Sequence, residues 1–254
     1  MSETTPPTGQ EETFLSHLIE LRTRLLRSIV AVAIVLVCLF PFAKEIYAIL
    51  ARPLLEKLPA GATMIATDVT GTFLVPLKVT VMAALVIALP YVLWQAWAFV
   101  APGLYQHEKR LAGPVIVSSV IFFAIGMAFA YFFVFPVMFN FFTHYTPAGV
   151  TMMTDIDKYL SFVLTMFIAF GITFEVPVVV IVLVRMGVVS LEKLRAIRGY
   201  VVVGAFIVGA IFTPPDVLSQ LMLAVPLWLL YELGLLLARF VSVPAKDGEA
   251  KEAA

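Results

Sequence analysis

One carboxylic acid of this sequence lies deep inside an apolar run. Glu175 stands about nine residues from the nearer end of the run 160–184, which corresponds to roughly 14 Å of helix. An ionisable group at such a depth in a membrane costs on the order of 3 kcal/mol and is functional by default. Pro177 leaves the carbonyl of Thr173 without its helical donor. Glu175 is therefore interpreted as a polar site within the membrane, or as a protonated side chain hydrogen-bonded to a neighbouring helix.

Two further carboxylates, Glu20 and Glu108, lie among basic residues outside the apolar runs. Both are expected on the same face of the membrane, Glu20 on an amphipathic helix and Glu108 in the short loop 101–113. From the residues alone, the favoured interpretation is a set of solvated salt bridges, Glu20 with Arg24 and Glu108 with Lys109 or Arg110. Such pairs contribute little to stability.

A third set of polar residues lies at and just after the turn from Thr213 to Asp216. The turn joins two short apolar runs so tightly that they must form an antiparallel pair. Asp216 is well placed as the N-cap of the last helix. Gln220 lies one turn deeper, where an amide exposed to lipid would be costly. It is therefore expected to face another helix, either of this chain or of a partner.

The sequence predicts no metal site and no cofactor. Cys38 is alone, and His17, His107 and His144 fall in three different segments without metal-ligand spacing. A phosphate-binding loop of the Gly-x-x-x-x-Gly-Lys type is absent, which excludes nucleotide hydrolysis by that route. A lipid-embedded enzyme would need a nucleophile and a base at one depth, and the runs offer neither. The chain is therefore not expected to be an enzyme.

Six apolar runs must position these residues. The chain is 61% hydrophobic and 13% charged, against about 25% charged in a soluble domain. Most runs reach the ~20 helical residues that cross the hydrocarbon core. The predicted fold is an all-α integral membrane protein with six transmembrane helices. The runs are 25–43, 73–100, 114–142, 160–184, 200–212 and 217–238.

The runs are unequal in length. The second and third extend over roughly 42 Å of helix, so they must tilt or bend, and Pro76, Pro90 and Pro136 supply breaks. The fifth run, by contrast, is only about 20 Å long. Long tilted helices beside short ones predict a concave bundle with two short final helices.

An amphipathic helix is predicted to lead into the first run. Phe14, Leu18, Leu21 and Leu25 recur at helical spacing on one face, while Glu20 lies on the other. The membrane domain is predicted over residues 12–240. The flanking tails, 1–11 and 241–254, lack periodic apolar positions and are predicted to be disordered.

Lys and Arg are distributed unevenly between alternate loops. Twelve fall on the side that carries both termini, and five fall on the other side. The positive-inside rule therefore predicts that both termini, and both tails, are cytoplasmic.

A proton-coupled small-solute carrier that uses Glu175 is the alternative function. Many such carriers contain an inverted repeat, which would pair the first three runs with the last three. The lengths of the runs do not match and internal similarity is not visible, which argues against a carrier.

Five strings of residues, in order along the chain, resemble TatC, the six-span receptor subunit of the twin-arginine translocase. The resemblance extends from Leu15 to Phe240 without a large gap. The strings are FLSHLIELR at 14–22, MIATD at 64–68, WAFVAPGLYQHE at 97–108, FGITFEVP at 170–177 and TPPDVLSQ at 213–220.

The resemblance implies a receptor without catalytic activity. TatC proteins recognise the paired arginines of a signal peptide at the cytoplasmic face of the bacterial inner membrane. They pass folded proteins to a pore built with single-span subunits of the TatA and TatB type, driven by the protonmotive force. The chain is accordingly expected to be a multi-pass inner-membrane protein that assembles as a hetero-oligomer.

The resemblance also implies roles for individual residues. Glu20 and Glu108 match the recognition carboxylates, and each could accept a bidentate pair from a planar guanidinium group. Arg22 and Phe99 are expected to belong to the same signal-binding surface. The family also marks the positions of Pro53, Glu175 and Asp216 as important.

The two short final helices are predicted to form a docking surface for a single-span partner. Thr213 and Gln220 would offer hydrogen bonds to a polar group near the external end of the partner helix.

Overall fold

The computed structural model describes residues 8–55, 64–100, 109–147 and 153–241, and these are almost entirely helical. The one β-bridge among them joins Ile65 and Asp155. The helices are α1 (Thr8–Leu39), α2 (Ala43–Leu55), α3 (Gly71–Val100), α4 (Lys109–Phe129), α5 (Phe135–His144), α6 (Ile156–Arg185), α7 (Leu191–Ala196), α8 (Arg198–Phe212) and α9 (Val217–Val241).

Each apolar run coincides with helical structure, so the predicted all-α membrane fold is confirmed. Five helical stretches of the described chain are long and apolar enough to cross a membrane: His17–Arg52, Gly71–Phe99, Gly113–His144, Ile156–Arg185 and Val217–Phe240. The fifth apolar run forms the shorter helix α8. Two short final helices were predicted; the length of α8 agrees, but α9 is 25 residues long and is one of the five spanning stretches, so the last helix is not short.

The prolines of the long runs act differently from one another. Pro76 and Pro90 lie inside α3, which continues through both, so the breaks expected in this run are absent. The hydroxyl of Thr80 donates to the carbonyl of Pro76 at 2.7 Å, within the turn that Pro76 opens. In the third run, a π-helical segment (Ala130–Val134) separates α4 from α5 just before Pro136. Because Pro136 has no N–H to donate to the preceding turn, a wider turn is tolerated there.

The chain divides into two compact units. The first contains α1, α2, α3, the part of α4 up to Val120, and residues Met153–Leu160. None of the most apolar stretch of α1 is buried within the chain. Leu18, Leu21 and Leu25 are all exposed, whereas Glu20 and Arg24 are only partly exposed and lie beside α3. This arrangement suits a helix whose apolar face contacts lipid.

Asp155 joins the segment after α2 to the start of α6 within the first unit. Its Oδ1 accepts from the backbone N–H groups of Asp157 and Lys158 at 2.9 and 3.0 Å, which caps α6. Its Oδ2 accepts from the hydroxyl and the backbone N–H of Thr67. The Thr67 hydroxyl and then the Lys158 N–H lower the pKa of Asp155 to about 2. Backbone hydrogen bonds of Ile65 complete the junction.

The second unit contains the rest of α4, then α5, most of α6, and α7 to α9. Its helices approach closely at glycines. A Cβ on Gly126 would lie 2.5 Å from the carbonyl oxygen of Phe170, and a Cβ on Gly234 would lie 3.0 Å from Cα of Pro177. Small residues allow membrane helices to pack backbone against backbone, so these glycines hold α4 and α9 against α6.

Candidate functional site

The side chain of Glu20 is held by an ion pair in which two nitrogens of Arg24 contact the same carboxylate oxygen. Arg24 donates to Oε1 of Glu20 from Nε at 2.8 Å and from Nη2 at 2.6 Å. The remaining nitrogen, Nη1, lies 3.4 Å from Oε1 of Gln95 on α3, and Gln95 is buried. The Glu20 side chain nevertheless keeps 36% of its surface exposed. A carboxylate in one fixed orientation is therefore accessible from outside the chain.

His17 and Phe99 extend this cluster. The two rings stack with their centroids 4.7 Å apart, and Nδ1 of His17 lies 3.9 Å from Oε2 of Glu20. The stacking brings together the end of α3 and the start of the first membrane span. Two of the predicted site residues, Glu20 and Phe99, therefore share one surface. We refer to His17, Glu20, Arg24, Gln95 and Phe99 as the α1–α3 cluster.

Two other predicted residues, Arg22 and Pro53, stand apart from this cluster. Arg22 is exposed on α1, two residues after Glu20 and therefore on a different face of the helix. Glu108 lies outside the described residues. Pro53 falls in the last turns of α2.

Glu175 lies within α6, about 15 Å of helix from its end at Arg185. Its Oε1 is shielded from solvent, although the residue as a whole is partly exposed. Thr173 and Pro177 beside it are both buried, and Pro177 contacts Gly234 of α9. The intramembrane carboxyl therefore sits beside a helix crossing, and its role as a polar site stays a prediction.

The turn between α8 and α9 is built from its own polar side chains. Asp216 caps α9, because its Oδ1 accepts from the backbone N–H of Ser219 at 2.7 Å. The hydroxyl of the buried Thr213 donates to the carbonyl of Gly209 at 2.8 Å. Nε2 of Gln220 donates to the carbonyl of Phe206 at 3.0 Å, so its amide has a partner on α8. The N-cap interpretation of Asp216 agrees with this geometry.

Gln95 and His17 were not among the predicted site residues. Gln95 is a buried amide in an apolar run, the same signal that singled out Gln220. His17 carried no signal beyond its lack of metal-ligand spacing, and about half of its side chain is exposed. Its stacking on Phe99 joins residues far apart in the sequence, which helical spacing does not reveal.

The family model described as Sec-independent protein translocase protein (TatC) matches residues 16–226. The chain belongs to the TatC family. It is 57% identical over 229 residues to the Sec-independent protein translocase protein TatC of Azotobacter chroococcum mcd 1, covering 90% of each chain. It is 53% identical over 226 residues to that of Escherichia coli (strain K12), covering 89% of this chain and 88% of the relative.

The fold agrees with the family. A crystal structure of the twin arginine translocase receptor TatC superposes with a TM-score of 0.79 at 40% identity, covering 89% of this chain and 99% of the other. The chain is therefore a multi-pass bacterial membrane protein of the twin-arginine system and a protein translocase component rather than an enzyme. The resemblance found in the five strings of residues is confirmed.

Proposed function

We propose that this chain is the receptor of the twin-arginine translocase and binds signal peptides through Glu20 and Glu108. The observation that carries the proposal is the contact of two Arg24 nitrogens, Nε and Nη2, with Oε1 of Glu20. A carboxylate that already accepts a forked guanidinium has the geometry that an arginine of a signal peptide needs. The Oε2 side of Glu20 faces His17, 3.9 Å away, where an incoming guanidinium could approach.

The internal ion pair is also what the solvated salt-bridge interpretation predicts, so the two roles must be separated by experiment. A purely structural pair at this exposure contributes under about 1 kcal/mol. A receptor carboxylate contributes a charge-assisted contact of about 1.5–3 kcal/mol to binding. Membership of a translocase family favours the receptor over the small-solute carrier that Glu175 alone would suggest.

The proposal includes the orientation and the energy source. Both termini are cytoplasmic in the bacterial inner membrane, because the positively charged loops then face inward. The α1–α3 cluster lies at this face, where a signal peptide arrives before transport. Transport is driven by the protonmotive force, in line with the lack of a nucleotide-binding loop in the sequence.

The helices α8 and α9 are proposed to dock single-span subunits of the TatA and TatB type. Gln220 is partly exposed, and its side-chain Nε2 donates to a carbonyl of the same chain. The side-chain oxygen of Gln220 can still accept a hydrogen bond from a partner. Thr213 is the C-cap residue of α8, at the turn that precedes α9. A cysteine at Gln220 should cross-link to a partner helix in intact membranes. Its failure to cross-link to any partner would move the docking surface elsewhere.

Signal recognition is tested by measuring the binding of a fluorescent twin-arginine peptide to the full chain in nanodiscs. Glu20→Gln should weaken binding by about ten-fold or more, because one charge-assisted contact is lost. Glu108→Gln should act alike, and the double variant should abolish binding. Glu192→Gln is the matched control, since it removes an exposed carboxylate of α7 outside the cluster.

A peptide in which lysines replace both arginines should bind weakly to every variant, because lysine lacks the planar fork. Binding of the twin-arginine peptide should also weaken with added salt, since the Glu20 side chain is partly exposed. Wild-type affinity in the Glu20→Gln, Glu108→Gln double variant would refute the assignment.

A further inference from the structure

The helices α7, α8 and α9 border a cavity that the proposed function does not use. Its volume is about 300 Å³. Three guanidinium groups and one carboxylate face it together with two leucines, so its lining carries an excess of positive charge. The lining residues are Arg195, Arg198, Glu232, Leu235, Leu236 and Arg239.

The helices that carry these arginines are fixed relative to one another. The hydroxyl of Tyr231 on α9 donates to the carbonyl of Leu194 on α7 at 2.7 Å. Leu194 and Leu235 are buried in the same apolar cluster. Nη2 of Arg198 lies 2.8 Å from Oε2 of Glu232, which ties the start of α8 to α9. The cavity is therefore a formed site, and a ligand would not have to order it.

The cavity lies where the apolar helices end. Arg198 is the first residue of the apolar helix α8, and Arg239 is in the last turn of α9. Two strongly exposed aromatic side chains stand beside them, Tyr200 at 80% and Phe240 at 83%. Exposed aromatic residues at the ends of apolar helices are typical of the membrane–water interface. The arginines are thus at the depth of the lipid headgroups.

We infer that this cavity binds the phosphate group of an anionic phospholipid. Guanidinium groups match phosphate oxygens with forked hydrogen bonds, and basic pockets between membrane helices bind lipid headgroups. Leu236 is half exposed beside the arginines and offers apolar surface to the first part of an acyl chain. Free inorganic phosphate shares the headgroup's chemistry but cannot use this apolar surface. The inference stands independently of the signal-binding proposal.

The test is native mass spectrometry of the full chain in detergent, titrated with phosphatidylglycerol, phosphatidylcholine or inorganic phosphate. Arg195→Gln should weaken phosphatidylglycerol binding by about ten-fold. Arg195→Lys keeps the charge but loses the planar guanidinium, so its affinity for phosphatidylglycerol should lie between those of the wild type and Arg195→Gln. Lys193→Gln is the control, because Lys193 is on the same short helix but is not part of the cavity lining. All three variants should keep the wild-type Tm without lipid, since both side chains are exposed.

Each outcome decides the inference. Retention of phosphatidylglycerol over phosphatidylcholine by the wild type and Lys193→Gln, with loss in Arg195→Gln, would support a lipid site. Inorganic phosphate that binds as tightly as phosphatidylglycerol would identify free phosphate as the ligand and overturn the lipid assignment. Equal lipid retention by the wild type and Arg195→Gln would overturn the site altogether.

Discussion

Single polar residues of this chain connect helices that are far apart in the sequence. Arg24 illustrates this, because its guanidinium contacts Glu20 on its own helix and Gln95 on another. The same contact fixes the carboxylate that the proposed function needs.

Glu175 permits a prediction at this scale. Glu175→Gln should keep protein level and folding, because an amide can replace a carboxyl as a hydrogen-bonding group. Glu175→Leu should impair transport of a folded reporter protein, since the buried Oε1 position loses its polarity. The measurement is export of the reporter together with immunoblotting of membranes. Equal loss of protein level in both variants would indicate a purely structural role.

Asp155 should make the stability of the junction between Thr67 and the start of α6 depend on pH. Its pKa is lowered to about 2 in the folded chain, chiefly by the hydrogen bond from Thr67, against an ordinary value of about 3.9. Its contribution is therefore fully present above about pH 4 and is lost as the pH falls towards 2. Asp155→Ala should lower the Tm in detergent at pH 7, and its difference from wild type should shrink on acidification.

The control for Asp155 is Asp157→Ala. Asp157 pairs with Lys78 at 2.6 Å, and both side chains are close to half exposed, so its loss should change the Tm little. A Tm of Asp155→Ala equal to wild type at pH 7 would contradict the assigned role of the carboxylate.

Helices of this chain pack closely at glycine residues, where no side chain separates the two backbones. Gly126 allows α4 to touch the backbone of α6, and Gly234 allows α9 to do the same at Pro177. In lipid there is no hydrophobic force between apolar helices, so close packing and hydrogen bonds decide which faces meet. Elements that look equally apolar in sequence therefore differ in which face they bury.

Gly126→Ala should be destabilising, by about 1–3 kcal/mol, because the new Cβ would meet a backbone carbonyl that cannot move aside. Gly204→Ala is the matched control, since a Cβ there meets nothing within 4 Å. It should be neutral or stabilising by about 0.5–1 kcal/mol, because alanine favours a helix over glycine. Thermal unfolding of both variants in one detergent checks the contrast, and similar Tm values would show that the close approach does not hold α4 in place.

At the scale of the whole molecule, the charge distribution predicts orientation. Reporter fusions within residues 42–75 or near Met153 should read as external, because few cations lie on that side. Fusions at Lys109, at Lys193 or after Arg239 should read as internal. An alkaline phosphatase and fluorescent protein pair reports the two sides in opposite ways. An external C-terminus would overturn the six-span arrangement.

The sequence by itself determined the apolar helices and several of their ends. All six apolar runs identified in the sequence coincide with helices of the structure, because the bilayer sets both the length and the composition of a spanning helix. Asp216 was predicted as an N-cap from its place before an apolar run, a rule that needs only local backbone geometry. The salt bridge between Glu20 and Arg24 also followed from i,i+4 spacing.

Only the tertiary structure decided which distant residues meet. Arg24 and Gln95 are 71 residues apart, and Thr67 and Asp155 are 88 residues apart, so no local spacing joins them. The continuity of α3 through Pro76 and Pro90 was likewise missed, because the helix on either side of each proline is kept by its own hydrogen bonds and contacts. In a spanning helix nearly every position is apolar, so hydropathy marks the span without marking the face that meets a neighbour. The neighbour is chosen by glycine contacts and polar pairs that exist only once the helices are assembled.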